Sequence, residues 1–146
     1  MNALSREDAV VLGKELNLPN VVLNIIEDKV PVSLLDYFST PMVFDLTDVE
    51  QEEYGFGKIL PLWSSSNGDV TFAYAFSSKD YFSFVWDGDV KARFEDWDDV
   101  LKEVVSRVVD IIWDDQSESE VLEALREMFD CFGVDDMDAL FQSIIA

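Results

Sequence analysis

The stretch ILPLWSSSNGDVTFAYAF, residues 59–76, decides the fold. An apolar run leads into small polar residues, and a strict alternation of residue types follows. Alternation with a period of two is typical of a β-strand, and Asn67-Gly68 supplies the positive φ that a tight turn needs. The middle of the stretch also holds hydroxyls and a carboxylate, the groups of a binding or catalytic loop. We predict instead two antiparallel strands, Ile59–Trp63 and Asp69–Phe76, with Ser64–Asp69 as their connection.

Strand patterns continue on both sides of this pair. Tyr81–Trp86 is rich in aromatic residues, and Asp87-Gly88 is a strong hairpin signal before a further strand, Asp89–Phe94. On the N-terminal side, Met42–Leu46 is predicted as a strand. The alternation also places Ala73 and Ala75 on one face of the sheet, where their small side chains leave room for a helix. We expect a central, mainly antiparallel sheet of about five strands.

Helices are predicted before the sheet. Ser5, followed by an acid three residues later, begins a helix that Leu18-Pro19 ends, because the residue before proline avoids helical backbone angles. Val21–Asp28 fits either a short helix or an extended run. Pro31–Phe38 fits a short helix with proline in its first turn. The polar segment Thr47–Gly57 is interpreted as a loop.

Helices are also predicted after the sheet. The first carries an apolar stripe, the second begins with a capping box at Ser117 and has Gly133 at its end, and Asp135 or Asp136 caps the third. The stripe of the first contains Trp97, Leu101, Val104, Val105, Val108, Ile111 and Ile112. Helices therefore flank the sheet at both chain ends, which is an α+β fold. No Gly-, Ser- or Pro-rich linker interrupts the chain, so we expect a single domain over residues 1–146.

The charge of the chain points to its partners. There are 31 acidic and 10 basic residues, a net charge of −21. Such a surface repels nucleic acid and anionic membrane, and it attracts basic proteins. Acidity of this kind also serves solubility or adaptation to salt. Aromatic residues make up 13% of the chain, which indicates a packed protein rather than an acidic disordered one.

Several kinds of chemistry are excluded by composition. The chain has no histidine and a single cysteine, so zinc sites and Ser-His or Cys-His nucleophile pairs are not expected. No Gly-rich phosphate loop is present. We expect no cofactor, no metal and no enzyme activity. Cys131 lies on an apolar helical face and is predicted to be a small core residue. A lone cysteine, no signal-peptide pattern and no apolar run of about 18 residues favour the cytoplasm.

Two carboxylate-rich segments each fit either a calcium site or a turn between elements. Asp87-Gly88-Asp89 and Asp114–Glu118 have the alternate spacing of calcium ligands, but the twelve-residue loop pattern does not continue around either. We interpret the first as a hairpin turn and the second as a loop between helices. A pair of carboxylates for hydrolysis stays open as a third hypothesis, because such pairs form in space rather than in sequence.

The central part of the chain resembles the SUKH superfamily. The resemblance rests on Ile59–Trp63, Ser66–Asp69, Ala73-Tyr74 and Tyr81–Phe84. It covers about residues 31–105. It implies an α+β domain, and many members look like immunity proteins that neutralise nuclease or deaminase toxins of bacterial polymorphic toxin systems. Other members are regulatory scaffolds.

We expect a binding protein that covers the active-site face of a basic toxin. The segment 95–146 holds 16 acidic and three basic residues and is the predicted contact region. An alternative is a scaffold module that binds another protein partner through an aromatic sheet face of Trp63, Tyr74 and Trp86, since exposed tryptophan is enriched at interface hot spots. The predicted partner-binding residues are Asp96, Asp98, Asp99, Asp114, Asp115, Glu118, Trp63 and Trp86.

Overall fold

The computed structural model describes residues 3–114, 116–134 and 136–145, and within them the chain forms six α-helices and one five-stranded sheet. The α+β prediction is confirmed. The chain divides into two compact units, Met1–Glu95 and Asp96–Ala146. The first contains the sheet and the second contains the last three helices. A single domain over residues 1–146 stays a prediction.

The sheet of the first unit is an antiparallel meander in which neighbours along the chain are also neighbours in space. Irregular pairing interrupts the ladders between Pro61 and Trp63 and between Ser83 and Phe84. The long strands agree with the sequence prediction to within two residues at each end. The strands are β1 (Phe38–Ser39), β2 (Ile59–Ser65), β3 (Val70–Ala75), β4 (Asp80–Val85) and β5 (Val90–Phe94).

One face of the sheet carries a cluster of aromatic rings. Ala73 lies opposite Phe82 in the ladder, and both side chains are buried. The ring of Phe56 packs over this face, with its centroid 5.0 Å from that of Phe82 and 4.9 Å from that of Phe84. The small alanines of β3 were expected to lie under an α-helix, but the cover includes Val43, Tyr54 and Phe56, which lie outside the α-helices in the segment between β1 and β2.

Two short helices precede the sheet and pack against β2. Helix α1 (Arg6–Glu15) is capped by the Ser5 hydroxyl, which accepts the Asp8 N–H, as predicted. The apolar run that fitted either a helix or an extended segment forms helix α2 (Asn20–Ile26). Five of its seven residues are buried, so the run is apolar around most of the helix and carries no clear period.

The segment between α2 and β2 differs most from the prediction. Met42–Leu46 is not a strand, because after Pro41 the chain turns into a 3₁₀-helix, Met42–Asp45, that buries only Val43 fully. The predicted loop contains helix α3 (Asp48–Glu52), which a capping box between Thr47 and Glu50 stabilises. Pro31–Phe38 forms a 3₁₀ turn at Val32–Leu34, and Phe38 belongs to β1.

The second unit consists of α4 (Trp97–Ile112), α5 (Glu118–Phe129) and α6 (Met137–Ile145). The buried stripe of α4 agrees with the prediction along its middle but not at its end, where Ile111 is 62% exposed. Asp136 caps α6 by accepting the Ala139 N–H at 3.0 Å, and Asp135 lies outside the described residues. Cys131 is exposed, not a core residue: in the 3₁₀ turn that follows α5 the buried side chain is that of Phe132.

Across the part of the chain that the structure describes, no helix is both long and apolar enough to cross a membrane.

The connection between β2 and β3 is a turn that uses its own polar groups. Gly68 has φ of +79°, and its N–H donates to the Ser65 carbonyl at 2.8 Å. The Asn67 side chain accepts from the Ser65 hydroxyl at 2.7 Å and donates to Asp69 at 3.0 Å. The hydroxyls and the amide of this stretch therefore stabilise the turn, as the strand-connection prediction requires.

A buried hydroxyl pair holds β2, β3 and the preceding 3₁₀-helix together. The hydroxyls of Ser64 and Thr71 are 2.7 Å apart, and both residues are almost fully buried. Ser64 Oγ also accepts the backbone N–H of Met42 at 3.1 Å. Because burial without a partner is costly for a polar group, these three groups satisfy one another.

Removing this hydroxyl tests its structural role. Ser64→Ala is expected to lower the free energy of unfolding by about 1–3 kcal/mol, because Thr71 and the Met42 N–H lose a buried partner. Chemical denaturation measures the change. Ser66→Ala is the matched control, since Ser66 is exposed in the turn that follows β2 and its substitution should change stability by less than about 0.5 kcal/mol. Equal effects of the two substitutions would contradict the network.

Candidate functional site

Trp63, one of the predicted contact residues, lies in the core. Its side chain is 2% exposed. Its ring packs edge-on against Phe38 with centroids 5.6 Å apart and stacks on Phe72 at 5.3 Å. Trp63 is therefore not accessible to a partner in this fold, and the aromatic sheet face that included it is not formed as a surface.

The acidic residues predicted around α4 are exposed and occupy a helix start. Asp96 is the N-cap and accepts the Asp99 N–H at 3.0 Å. Asp98 and Asp99 lie in the first turn, where the helix dipole favours negative charge. Only the backbone N–H of Asp99 takes part in this cap, and the side chains of Asp98 and Asp99 are both exposed. These acids therefore stabilise the start of α4, and their side chains are also exposed on the surface.

The remaining predicted acids lie near the start of α5. Glu118 is exposed in the first turn of α5, next to the Ser117–Glu120 capping box. Asp114 is exposed just after α4, and Asp115 lies outside the described residues. Asp114 and Glu118 thus lie on a connection and at a helix start, as predicted, but contact of these acids with a partner stays a prediction.

Trp86 stands at the end of β4 and is 48% exposed. It lines a pocket of about 320 Å³ together with residues that come from the segment before β2 and from the β4–β5 hairpin. The lining consists of Leu46, Glu50, Glu53, Tyr54, Trp86 and Asp87. Three of these side chains are acids, two are aromatic and none is basic.

Tyr54 lines this pocket and also contacts the sheet. Its hydroxyl donates to the Trp86 carbonyl at 3.0 Å, and its ring meets Phe84 edge-on at 5.3 Å. Gly88 passes close by with φ of +100°, and a Cβ at that position would lie 3.3 Å from Tyr54 Cδ1. The hairpin turn therefore needs glycine for two reasons, its backbone angle and the closeness of the tyrosine ring.

The charges of the pocket act on its ionisable groups. The pKa of Tyr54 is raised, first by burial and then by the negative charges of Asp87 and Glu50. The pKa of Glu50 is lowered by its hydrogen bonds with the Thr47 backbone and hydroxyl, so this carboxylate stays ionised at neutral pH. The pocket thus has a negative potential that the fold itself maintains.

A second pocket, of about 280 Å³, lies beside the aromatic cluster and is mainly apolar. Val43, Phe56, Ile59 and Pro61 contribute to its wall. At its edge Glu52 accepts the backbone N–H of Ala3 at 3.0 Å. These side chains suit packing or an apolar ligand, and they bring no nucleophile beside a base.

Two carboxylates of the first unit have the opposite of the property that the hydrolase hypothesis requires, and the hypothesis itself stays a prediction. A general acid needs a raised pKa, whereas the pKa of Glu50 and that of Asp80 are both lowered. Asp80 is held ionised chiefly by the Ser78 hydroxyl and also by Arg93, at 3.2 Å. In residues 3–114, 116–134 and 136–145 no group of three or more His, Cys, Asp or Glu side chains is arranged to hold a metal ion.

Sequence reasoning named Trp86 but missed its neighbours. Glu50, Glu53 and Tyr54 fall in the segment that was interpreted as a loop. The pattern Thr47-x-x-Glu50 is a capping-box signal and could have revealed α3. No sequence pattern shows that α3 lies beside the β4–β5 hairpin, because that proximity comes from the tertiary packing.

No family model, no curated protein and no solved structure matches the chain.

The tyrosine that supports the pocket gives a test of this geometry. Tyr54→Phe is expected to lower the free energy of unfolding by about 0.5–1.5 kcal/mol, because the Trp86 carbonyl loses its hydrogen bond. Denaturation measures this change, and hydrogen exchange of the Gly88 amide should become faster. Tyr74→Phe is the control, since it keeps the ring contacts with Phe76 and Tyr81. Unchanged Gly88 exchange in Tyr54→Phe would argue against the anchor.

Proposed function

We propose that the protein is a non-catalytic, acidic binding protein for a basic protein partner. In the more specific form of this proposal it is an immunity protein, as the resemblance to the SUKH superfamily implies. It would act in the bacterial cytoplasm by covering the active-site face of a nuclease- or deaminase-like toxin. The proposal requires no bond to be made or broken by this chain.

The observation that carries the proposal is the excess of negative charge. Even if each of the 10 basic residues paired with an acid, a charge of −21 would remain. The ion pairs seen on the surface, such as Arg107–Glu103 at 3.1 Å, neutralise few of these acids. A net charge of this size repels itself and is best offset by a partner of opposite sign.

A nucleic-acid enzyme has the complementary surface. It binds phosphates with lysine and arginine side chains, so the face around its active site is positively charged. An acidic protein is steered towards such a face, and the association rate then falls as salt screens the charges. Covering this face would block access of the nucleic acid without any chemistry.

Asp98 and Asp99 are the proposed contacts on which the test is built. Both are exposed in the first turn of α4, and their carboxylates are not the acceptors of its N-cap bond. Asp96 is less suitable for the test, because its carboxylate caps the helix and its substitution would also cost stability.

The charge-reversed variant Asp98→Lys/Asp99→Lys is expected to bind the basic partner, to be sought first in the product of the neighbouring gene, about tenfold more weakly. The affinity of the unchanged protein should also fall steeply between about 50 mM and about 200 mM salt, concentrations chosen for the assay on the scale at which such contacts are screened. Pull-down and titration calorimetry measure both effects. Growth rescue of cells that express the toxin gives a functional readout.

A matched control separates local contacts from net charge. Glu7→Lys/Asp8→Lys makes the same charge change in the first turn of α1, with the same unfavourable effect on a helix dipole. It should retain most of the affinity. Thermal unfolding of both variants checks that each is folded. An affinity that neither salt nor the α4 substitutions change would contradict the electrostatic proposal and indicate a scaffold module whose partner is bound without charge, on a surface that does not include Trp63.

A further inference from the structure

The pocket beside Trp86 combines an exposed aromatic ring with fixed negative charge. Trp86 is 48% exposed, although a side chain of this size usually has most of its surface covered. Its neighbours in the pocket are the aromatic ring of Tyr54 and the apolar side chain of Leu46. The carboxylates of Glu50, Glu53 and Asp87 complete the lining. A ligand that fits must offer a flat or apolar surface to the rings and a positive charge to the acids.

An arginine side chain has both properties. Its guanidinium is planar, is always charged, stacks on aromatic faces and forms paired hydrogen bonds with carboxylates. Its aliphatic stem suits the apolar side of the lining. A nucleic acid or an anionic membrane is disfavoured here, because no basic side chain lines the pocket and three acids do.

The pocket is formed before any ligand arrives. The Tyr54 hydroxyl is bonded to the Trp86 backbone at 3.0 Å, and the Glu50 carboxylate accepts the Thr47 N–H at 3.1 Å. The main chain on either side of the pocket is thereby held in place, and binding would cost less conformational entropy than in a mobile loop.

We propose that this pocket receives an arginine side chain of a basic protein partner, which stacks on Trp86 and pairs with the carboxylates of Glu53 and Asp87. The inference rests on the proposed function and deepens it, since it assigns a specific anchoring site for the partner in the first unit. The cation preference of the pocket can be measured without the partner.

The probe is N-acetyl-arginine methylamide, and its uncharged isostere N-acetyl-citrulline methylamide is the reference. Each is titrated into the full chain while the indole N–H resonance of Trp86 is followed by NMR. Trp86→Phe identifies that resonance by its loss. The arginine probe is expected to shift it saturably, and the citrulline probe is expected to bind at least about fivefold more weakly, because it lacks the charge.

Charge-neutral substitutions locate the binding. Glu53→Gln/Asp87→Asn keeps side-chain size, and the amide oxygen introduced by Asp87→Asn can still accept the Asp89 N–H that Asp87 Oδ1 accepts at 3.2 Å. This variant should bind the arginine probe about fivefold more weakly. Glu123→Gln/Glu127→Gln removes two exposed charges from α5 and is the control for net charge, with an expected change below about twofold.

The outcomes separate this inference from the proposed function. Equal binding of arginine and citrulline probes, or equal weakening in both double variants, would overturn the arginine pocket. If the pocket fails while the basic partner still binds in a salt-sensitive manner, the proposed function stands without it. If the arginine probe shifts the Trp86 resonance with the expected preference but no basic protein is captured, the pocket stands as a cation site and the proposed partner falls.

Discussion

The packing of Phe56 and Tyr54 onto the sheet is the interaction on which the first unit depends. Phe56 meets Phe82 and Phe84 at centroid distances of 5.0 and 4.9 Å, and Tyr54 meets Phe84 at 5.3 Å. Aromatic pairs of this kind bury large apolar areas and favour defined orientations. They fix the chain between α3 and β2 over the sheet. The same tyrosine then reaches the β4–β5 hairpin with its hydroxyl, so core packing positions the surface pocket.

The acidic residues of this protein fall into two groups. Some acids serve the fold: Asp96 and Asp136 cap helices, and Glu50 completes a capping box. These carboxylates accept hydrogen bonds from backbone N–H groups, so helix capping explains why acidic residues occupy these positions. The larger excess of acids has no such explanation within the chain, because the basic residues are too few to balance it. That excess is the reason to look for a basic partner.

Predictions from the sequence agree with the structure where the pattern depends only on a few adjacent residues. The hairpin at Gly88 and the helix start at Ser5 depend on a few adjacent residues, and both were predicted. Met42–Leu46 was predicted as a strand, but Met42–Asp45 is a 3₁₀-helix, since a run of five mostly apolar residues is too short to show a period that distinguishes the two conformations. Cys131 was predicted to lie in the core, but in the 3₁₀ turn after α5 its neighbour Phe132 is buried and Cys131 is exposed.

The sequence by itself determined the strands β2–β5, most of the helix starts, the α+β class and the charge, because each depends on local periodicity, capping or composition. Only the tertiary structure decided which tryptophan is available to a partner. Trp63 and Trp86 both end predicted strands, yet one is 2% and the other 48% exposed. Exposure depends on which distant segments pack over a side chain. For the same reason the sequence did not show that Glu50, Glu53 and Tyr54 lie beside Trp86.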